Sequence, residues 1–563
     1  MSLEPGTVTM KDDLRYLQVF FHGQGGYFGA KLTMSFIVIF FATFAKLTAQ
    51  EKPNILFIMS DDHAAHAIGA YGGRLSVLDP TPTIDMLASE GMLFENAFST
   101  NSICTPSRAT ILSGQYSQTN GVLDLHDFLP EKKQYLPQLL KKQGYETAVI
   151  GKWHLKEAPE SFDYYEVLPL QGDYHNPQLI SRKGKIRKTI KFGRYGAHEV
   201  LVDEFEGHSS DVITDRSIEW LKHSRDRSKP FLLMHHFKAP HGMFEFAPRY
   251  SAYLEDSYIP EPASLYQRGN HGSIATRGEN DRLIHDIGSS VGMRNTIRGM
   301  GRSLQMGLDP DDPQYVHKAY QEYLKRYLRC VKGVDDNIKR LINFLKKEGL
   351  YDNTVIIYTS DQGMMLGEHD YVDKRWMYEE SMRMPFIVHF PKKYRGGIKT
   401  DLLINNTDFA PSILEMAGAT VPEYMQGKSF KQVLETGKEP EGWRSATYYR
   451  YWMHMGSRHA NPAHFGIRTK EFKLIFYYGK YYKPKDDIEQ DGWGRYDFDT
   501  PVAWEFYDLR RDPEEMQNEY HNPDYKGIIG ELKKELKAQR KKLNEEDDHY
   551  PHLQELIEMH WND

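Results

Sequence analysis

Five residues, Cys104-Thr105-Pro106-Ser107-Arg108, bring a thiol, a rigid turn residue and a guanidinium into one short stretch. The thiolate is the reactive form of cysteine, and a nearby arginine lowers a thiol's pKa. A simple thiol nucleophile is therefore one reading of Cys104. Pro106 fixes its own φ and removes a backbone donor. Ser107-Arg108-Ala109-Thr110-Ile111-Leu112 then reads as a helix start running to Gly114. That places Cys104 beside a helix N-terminus, where backbone N–H groups and the helix dipole favour an anion. The same residues would also fit a small buried thiol ahead of a Pro-Ser turn.

Two polar pairs stand at comparable places, one of two acids and one of an acid and an amide. Asp61-Asp62 follow the apolar run Pro53–Met59, and Asp361-Gln362-Gly363 follow the run Thr354–Thr359. In open α/β sheets, ligands collect at the carboxyl ends of strands. Three carboxylates and an amide converging there repel one another unless a cation joins them. A hard divalent ion takes oxygen ligands, and calcium tolerates irregular geometry. Acidic pairs after strands also serve as plain loop caps.

Basic groups and imidazoles complete the set. Gly151-Lys152-Trp153-His154 follows the run ending at Ile150. In an extended segment Lys152 and His154 share one side and can face one anion. Ala239-Pro240-His241 follows Phe231–Phe237, with His235 and His236 before it expected in the core. Gly367-Glu368-His369 leads into Asp373-Lys374-Arg375, where His369 either reaches substrate or is a loop histidine. Cys330, inside a helical pattern, reads as a small buried hydrophobe.

Taken in order along the chain, these elements resemble the motifs of the formylglycine-dependent (type I) sulfatases, the bacterial polysaccharide sulfatases in particular. The likeness runs from Lys52 to about Tyr520 and takes in Phe506-Tyr507-Asp508-Leu509 with Asp512-Pro513. It implies an alkaline-phosphatase-like α/β fold. It also implies that a formylglycine-generating maturation enzyme converts Cys104 to formylglycine (3-oxoalanine), whose hydrate attacks sulfur. By the same likeness Asp61, Asp62, Cys104, Asp361 and Gln362 hold a calcium ion. Arg108, Lys152 and Lys374 balance charge on the sulfuryl oxygens, and Asp361 orients or deprotonates the hydrate. His241, with Lys374, protonates the leaving alcohol, and His154 takes the proton of the second hydroxyl. The family usually has Asp-Asn where this chain has Asp361-Gln362, so Gln362 carries its carbonyl on a longer arm. The implied substrate is a sulfated carbohydrate of the ulvan, carrageenan or glycosaminoglycan kind. A phosphodiester or phosphonate monoester hydrolase of the same superfamily is the rival enzyme, and a non-catalytic carbohydrate-binding relative the rival outside enzymes.

The elements that must position these residues alternate. Runs at Pro53–Met59, Glu146–Ile150, Pro230–Met234, Thr354–Thr359 and Met384–Phe390 read as buried parallel strands. Helical patterns lie at Thr83–Glu90, Leu136–Gln143, Asp211–Ser224 and Tyr320–Glu348. The alternation predicts an α/β fold with a mostly parallel sheet flanked by helices. Ala446–Tyr451, Phe465–Thr469, Phe472–Tyr478 and Ala503–Leu509 read as short antiparallel strands, followed by a charged helix from about Gly527 to Glu546. The expected division is a leader over 1–49, a catalytic domain over 50–440 and a smaller C-terminal α+β subdomain over 441–563.

Composition narrows the class. A hydrophobic content of 40% with 26% charged residues describes a globular chain, and the net charge of −7 speaks against nucleic acid as the main partner. The 36 tyrosines suit sugar stacking and equally a large core. With Cys104 and Cys330 the only cysteines, conversion of the first leaves no disulfide. The apolar run Met34–Ala45 follows a basic residue and is too short to span a bilayer comfortably. It fits a secretory signal, with Thr48 and Ala49 allowing cleavage, translation starting at Met1 or Met34, and export to the periplasm or beyond without stable membrane insertion. Ser181–Arg194 holds seven Lys or Arg, as a solvated hairpin or as a loop contacting an acidic polymer. Arg268–Arg302 is a long Gly-rich segment of the functional or mobile kind.

Overall fold

The central apolar runs become strands with alternate residues sent to opposite sides of one sheet. The computed structural model describes residues 52–192, 196–292, 294, 298–457, 459–484 and 494–563. The expected secretory signal, and Arg194 of the basic segment, lie outside the described residues. Strands of the large sheet are, in chain order, β1 (Asn54–Asp61), β2 (Glu146–Lys152), β3 (Tyr164–Leu168), β4 (Gln178–Ser181), β5 (Ile186–Lys191), β6 (Ala197–Glu204), β7 (Phe231–Pro240), β8 (Thr354–Ser360) and β9 (Phe386–His389). Met92–Phe94 and Ile398–Thr400 close one edge, giving eleven strands among the described residues.

At the centre β8, β1, β7, β2 and β3 lie side by side and parallel. Every residue of β1 is buried. Leu56 and Ile58 enter one core, while Ile55, Phe57 and Met59 enter the other. Both faces are therefore covered, which is why the strand reads as a continuous apolar run. Burying an Ile, Leu or Phe side chain completely contributes roughly 1.5–3 kcal/mol. The run Met384–Phe390, expected among the parallel strands, instead pairs antiparallel with β8. A parallel return usually crosses over by a helix, whereas the segment between the two strands holds only short elements, among them the antiparallel pair Met365–Leu366 and Tyr371–Asp373. Beyond β3 the sheet continues antiparallel through β4, β6 and β5, so the basic segment forms an edge hairpin.

The helices are α1 (Pro82–Ser89), α2 (Cys104–Ser113), α3 (Tyr135–Lys142), α4 (Ser209–Glu219), α5 (Tyr315–Lys347) and α6 (Phe409–Met416). The first core takes Tyr320, Tyr323, Leu324 and Tyr327 from α5; the second takes Ala109 and Ile111 from α2 and Phe409 and Ile413 from α6. Cys330 is buried within α5, as expected. The smaller sheet is an antiparallel meander of β10 (Ala446–Tyr451), β11 (His464–Thr469), β12 (Phe472–Tyr477) and β13 (Ala503–Asp508). Its residues Tyr449, Phe465 and Phe476 share a core with Phe98, Ile103, Trp376 and Tyr378. Helices α7 (Lys526–Lys542) and α8 (Pro551–His560) follow, the second with Pro551 at its start. No helix among the described residues is long and apolar enough to cross a membrane.

Candidate active site

Strand register brings the chemistry to one edge. β1 pairs with β8 from Asn54–Thr354 to Ser60–Ser360, so Asp61-Asp62 and Asp361-Gln362 leave the sheet side by side. His236 of β7 aligns with Met59 on one side and Gly151 on the other, which delivers Lys152 and Pro240-His241 to the same edge. Gly151 sits at φ 107°, and a Cβ there would lie 1.9 Å from the carbonyl oxygen of His236. Only glycine fits this approach.

Cys104 is the first residue of α2, a helix buried along its whole length. The helix was expected to start at Ser107; it starts earlier because Pro106 lies in the first turn, where a missing N–H costs no intrahelical bond. Cys104 Sγ lies 3.5 Å from Asp61 Oδ1. Burial pushes its thiol up to about 12. Lys374 and Arg108 pull in the opposite direction without overcoming that burial.

Buried cations face buried carboxylates around this helix end. Arg108 Nε donates to Asp361 Oδ2 at 3.0 Å, and its Nη1 to the Lys152 carbonyl at 2.6 Å. Lys152 Nζ pairs with Asp61, and Lys374 Nζ donates to Asp62 Oδ2 at 2.5 Å. Ser107, in turn, donates to the Asp361 carbonyl and accepts from Asn406. Burial, with the Asp361 and Asp373 charges adding to it, pushes Asp62 up to about 6 against the pull of Lys374. Burial opposes the charge of Lys374, but Asp62 and Asp373 outweigh it and raise its pKa. Burial, reinforced by Lys238, lowers that of Lys152.

The imidazoles are held neutral. Burial and the surrounding cations, Lys152 first among them, keep His154 and His241 well below the usual histidine range. The chain turns at His154, which adopts φ 57°, so an extended Lys152–His154 segment is not what sets their places. His241 Nδ1 faces the Gly242 carbonyl at 2.7 Å and so carries the ring proton, while Nε2 lies 3.6 Å from Asp62 Oδ2. His235 and His236 are buried, bonded to Ser217 Oγ and the Lys152 carbonyl. His369 stacks on His271 with ring centroids 3.6 Å apart, beside Tyr378.

Ligand oxygens of Asp61, Asp62 and Asp361 lie within 4.8 Å of one another. Gln362 Oε1 is buried without a partner, while Nε2 donates to Asp62 Oδ1 at 2.5 Å and to Asp361 Oδ1 at 2.8 Å. Such an all-oxygen donor set fits a hard divalent cation. Residue 104 adjoins the set, its sulfur grouping with Asp61 and His241, and would join it as an oxygen ligand only after conversion to formylglycine, a thiol sulfur being soft.

Some neighbours carried no motif. Asp373 joins Lys374 to Arg375 Nε at 3.0 Å and to His459 Nδ1 at 2.8 Å. Gln171 accepts from Lys152 at 2.5 Å. The aromatic run Tyr164-Tyr165 with Val167-Leu168, just ahead of Pro169, was the available sign of β3 and of a loop after it.

A parallel sheet whose carboxyl edge gathers carboxylates, opposing cations and a helix N-terminus is suited to binding an anionic group and stabilising negative charge on it. A family model described as Sulfatase matches residues 53–419, and one described as N-sulphoglucosamine sulphohydrolase, C-terminal, matches residues 367–542. An N-acetylglucosamine-6-O-sulfatase of Bacteroides thetaiotaomicron is 36% identical over 531 residues, 88% of each chain. An ulvan-active sulfatase of Formosa agariphila is 25% identical over 88% of this chain and 82% of its own. A structure solved in complex with its substrate D-glucosamine-2-N,6-O-disulfate superposes with a TM-score of 0.73 at 35% identity, over 88% of this chain and 100% of the other. This chain belongs to the sulfatase family, with the alkaline-phosphatase-like fold, and is a sulfuric ester hydrolase.

Proposed function

We propose that the protein removes sulfate from a glucosamine-type residue of a sulfated glycosaminoglycan or related oligosaccharide, through formylglycine at position 104 and a calcium ion. The observation that carries this reading is the convergence of Arg108, Lys152 and Lys374 with Asp61, Asp62 and Asp361 around Cys104 at the start of α2. The sugar class is favoured because the relative named for N-acetylglucosamine 6-sulfate stands at 36% identity, against 25% for the ulvan-active one.

Asp61, Asp62, Asp361 and the Gln362 carbonyl would hold calcium, which supplies positive charge against the sulfuryl oxygens. Formylglycine supplies, as its hydrate, one hydroxyl to attack sulfur and another whose deprotonation releases sulfate. Lys152, Lys374 and Arg108, all buried, stabilise negative charge where such preorganised charges count most. Asp361, fixed by Arg108, orients or deprotonates the nucleophile. Neutral His154, whose Nδ1 is buried without a partner, is suited to accept the second proton. His241 and Lys374 face the same Asp62 oxygen. The Lys374 ammonium holds the proton for the leaving alcohol, and His241 Nε2 lies beside it to relay that proton. Asp373, Arg375 and His459, adjoining Lys374, offer acceptors and donors to sugar hydroxyls.

Desulfation measured across defined oligosaccharides tests this. Release of 6-O-sulfate from glucosamine units is expected. Turnover confined to ulvan or carrageenan fragments would overturn the sugar class, and faster turnover of an aryl phosphodiester than of an aryl sulfate would overturn the reaction.

A further inference from the structure

We propose that the loop Pro169–Tyr174, following β3, positions both sides of the reaction centre: Gln171 orients the Lys152 ammonium, Tyr174 fixes the place of His241, and the buried amine of Lys238 holds the loop to the sheet. The inference rests on the sulfate-ester reading above. Lys152 Nζ has Asp61 and the Gln171 Oε1 atom as its partners. The amine is fully buried, so no water replaces a lost acceptor. Without Gln171 it turns wholly onto Asp61, and its charge is withdrawn from the sulfuryl oxygens.

At the other end of the loop, the Tyr174 hydroxyl donates to the His241 carbonyl at 2.5 Å. This bond holds the main chain that carries the leaving-group imidazole. Lys238, on β7 three residues before His241, donates to the Gln171 carbonyl at 3.2 Å and lies 4.6 Å from the centre of the Tyr174 ring. Tyr174 and Lys238 are both buried. Leu170 at φ 51°, a disfavoured conformation for a side chain, and Gly172 at φ 68°, which glycine adopts freely, give the loop a tight turn. One short loop thus touches the nucleophile side through Lys152 and the leaving-group side through His241.

Steady-state kinetics on 4-nitrophenyl sulfate and on an unactivated sugar sulfate test this, with thermal melting to verify folding. Gln171→Leu should lower kcat about 10–100-fold on both substrates with little change in KM, because a transition-state contact is misplaced. Gln171→Glu keeps the reach but sets a second carboxylate on the ammonium beside an anionic ester and should lower kcat at least as far as Gln171→Leu, whereas Gln171→Asn keeps an uncharged acceptor one methylene short and should retain part of the rate. Tyr174→Phe should lower kcat several-fold on the sugar sulfate and spare the aryl sulfate, whose leaving group needs no proton. Folded Gln171→Leu with wild-type kcat, equal activity of the Glu and Asn variants, or losses confined to KM would overturn the proposal. If Gln171→Leu does not fold, the Glu and Asn pair decides. Wild-type protein inactive on both esters would overturn the sulfatase reading, and this inference with it.

Discussion

The sulfate pocket and the β5–β6 hairpin are built from the same residue types and differ in almost everything else. In the pocket the side chains of Lys152, Lys374, Arg108, Asp61, Asp62 and Asp361 are at most 3% exposed. On the hairpin Arg187 pairs with Glu199 at 2.9 Å and Lys188 with Glu204 at 2.7 Å, the first pair more than 60% exposed on both sides. An exposed pair contributes about 0–1 kcal/mol and is screened by salt. Each buried ion costs several kcal/mol in lost hydration, offset only by partners in good geometry. Ions kept this dry at the ends of the central strands are candidates for chemistry, although Arg450–Asp547 and Lys473–Glu515 beside the smaller sheet are as dry. The hairpin, its charges matched across two strands, can at most adjust how a charged polymer approaches.

Residue 104 is where this contrast can be broken most sharply. Cys104→Ala should lower turnover roughly ten-thousand-fold or more, as removal of a nucleophile does. Cys104→Ser should bind sulfate esters and turn over at most once, and peptide mass analysis of protein matured with a formylglycine-generating system should find the aldehyde at 104. Full activity of the alanine variant would end the assignment. Metal removal comes next. Chelation should abolish activity and calcium restore it, Asp62→Ala should lose both metal and turnover, and Gln362→Ala should be milder because water can replace one neutral ligand. An Asp62→Ala protein with unchanged calcium content and rate would break the proposed metal site.

How much of this was legible follows from the same physics. The strands that carry Asp61, Lys152, His241 and Asp361 are buried on both faces, so they stand out as apolar runs and their ends mark the site. β3 is hidden because Glu166 interrupts its apolar pattern, and that carboxylate is satisfied by Arg216 at 2.6 Å, a partner on α4. The loop after β3, with Gln171 and Tyr174, was hidden with it. Asp373 meets His459 only through the packing of β10–β13 against the segment after β8, and no local pattern encodes such a meeting. The antiparallel course of β9 depends on how the chain returns, which apolar content alone does not state.

A third setting, a buried carboxylate held by backbone N–H groups, gives an effect on stability alone. Asp335 of α5 accepts from the backbone N–H groups of Thr83 and Ile84 at the start of α1. Burial pushes it up to about 6 from 3.8. An acid with a higher pKa in the fold than in the unfolded chain makes stability fall as pH rises through that window. The penalty, up to about 3 kcal/mol, is absent below 3.8 and complete above about 6. Asp335→Asn removes the charge and keeps an acceptor. Urea unfolding should therefore change less between pH 4 and pH 7 in this variant than in the wild type, with kcat unaltered. Equal pH dependence in the two proteins would mean that Asp335 carries no such penalty.

The smallest effect is expected where the charges are exposed. Neutralising Lys185, Arg187 and Lys188 together removes three cations from the hairpin and takes the paired cations from Glu199 and Glu204 of β6, while Asp203 keeps the Lys185 backbone N–H. Folding stability should change by less than about 1 kcal/mol. If the hairpin meets a sulfated polymer, KM for a long oligosaccharide should rise a few-fold at low salt, and the rise should vanish near 0.5 M salt, where the Debye length falls to about 4 Å. Turnover of a small aryl sulfate should be untouched at any salt. Equal loss on both substrates would tie the hairpin to the sulfate pocket, against the separation of the two regions drawn from burial. No loss on either would leave it a solvated edge whose cations serve only their partners across the strands.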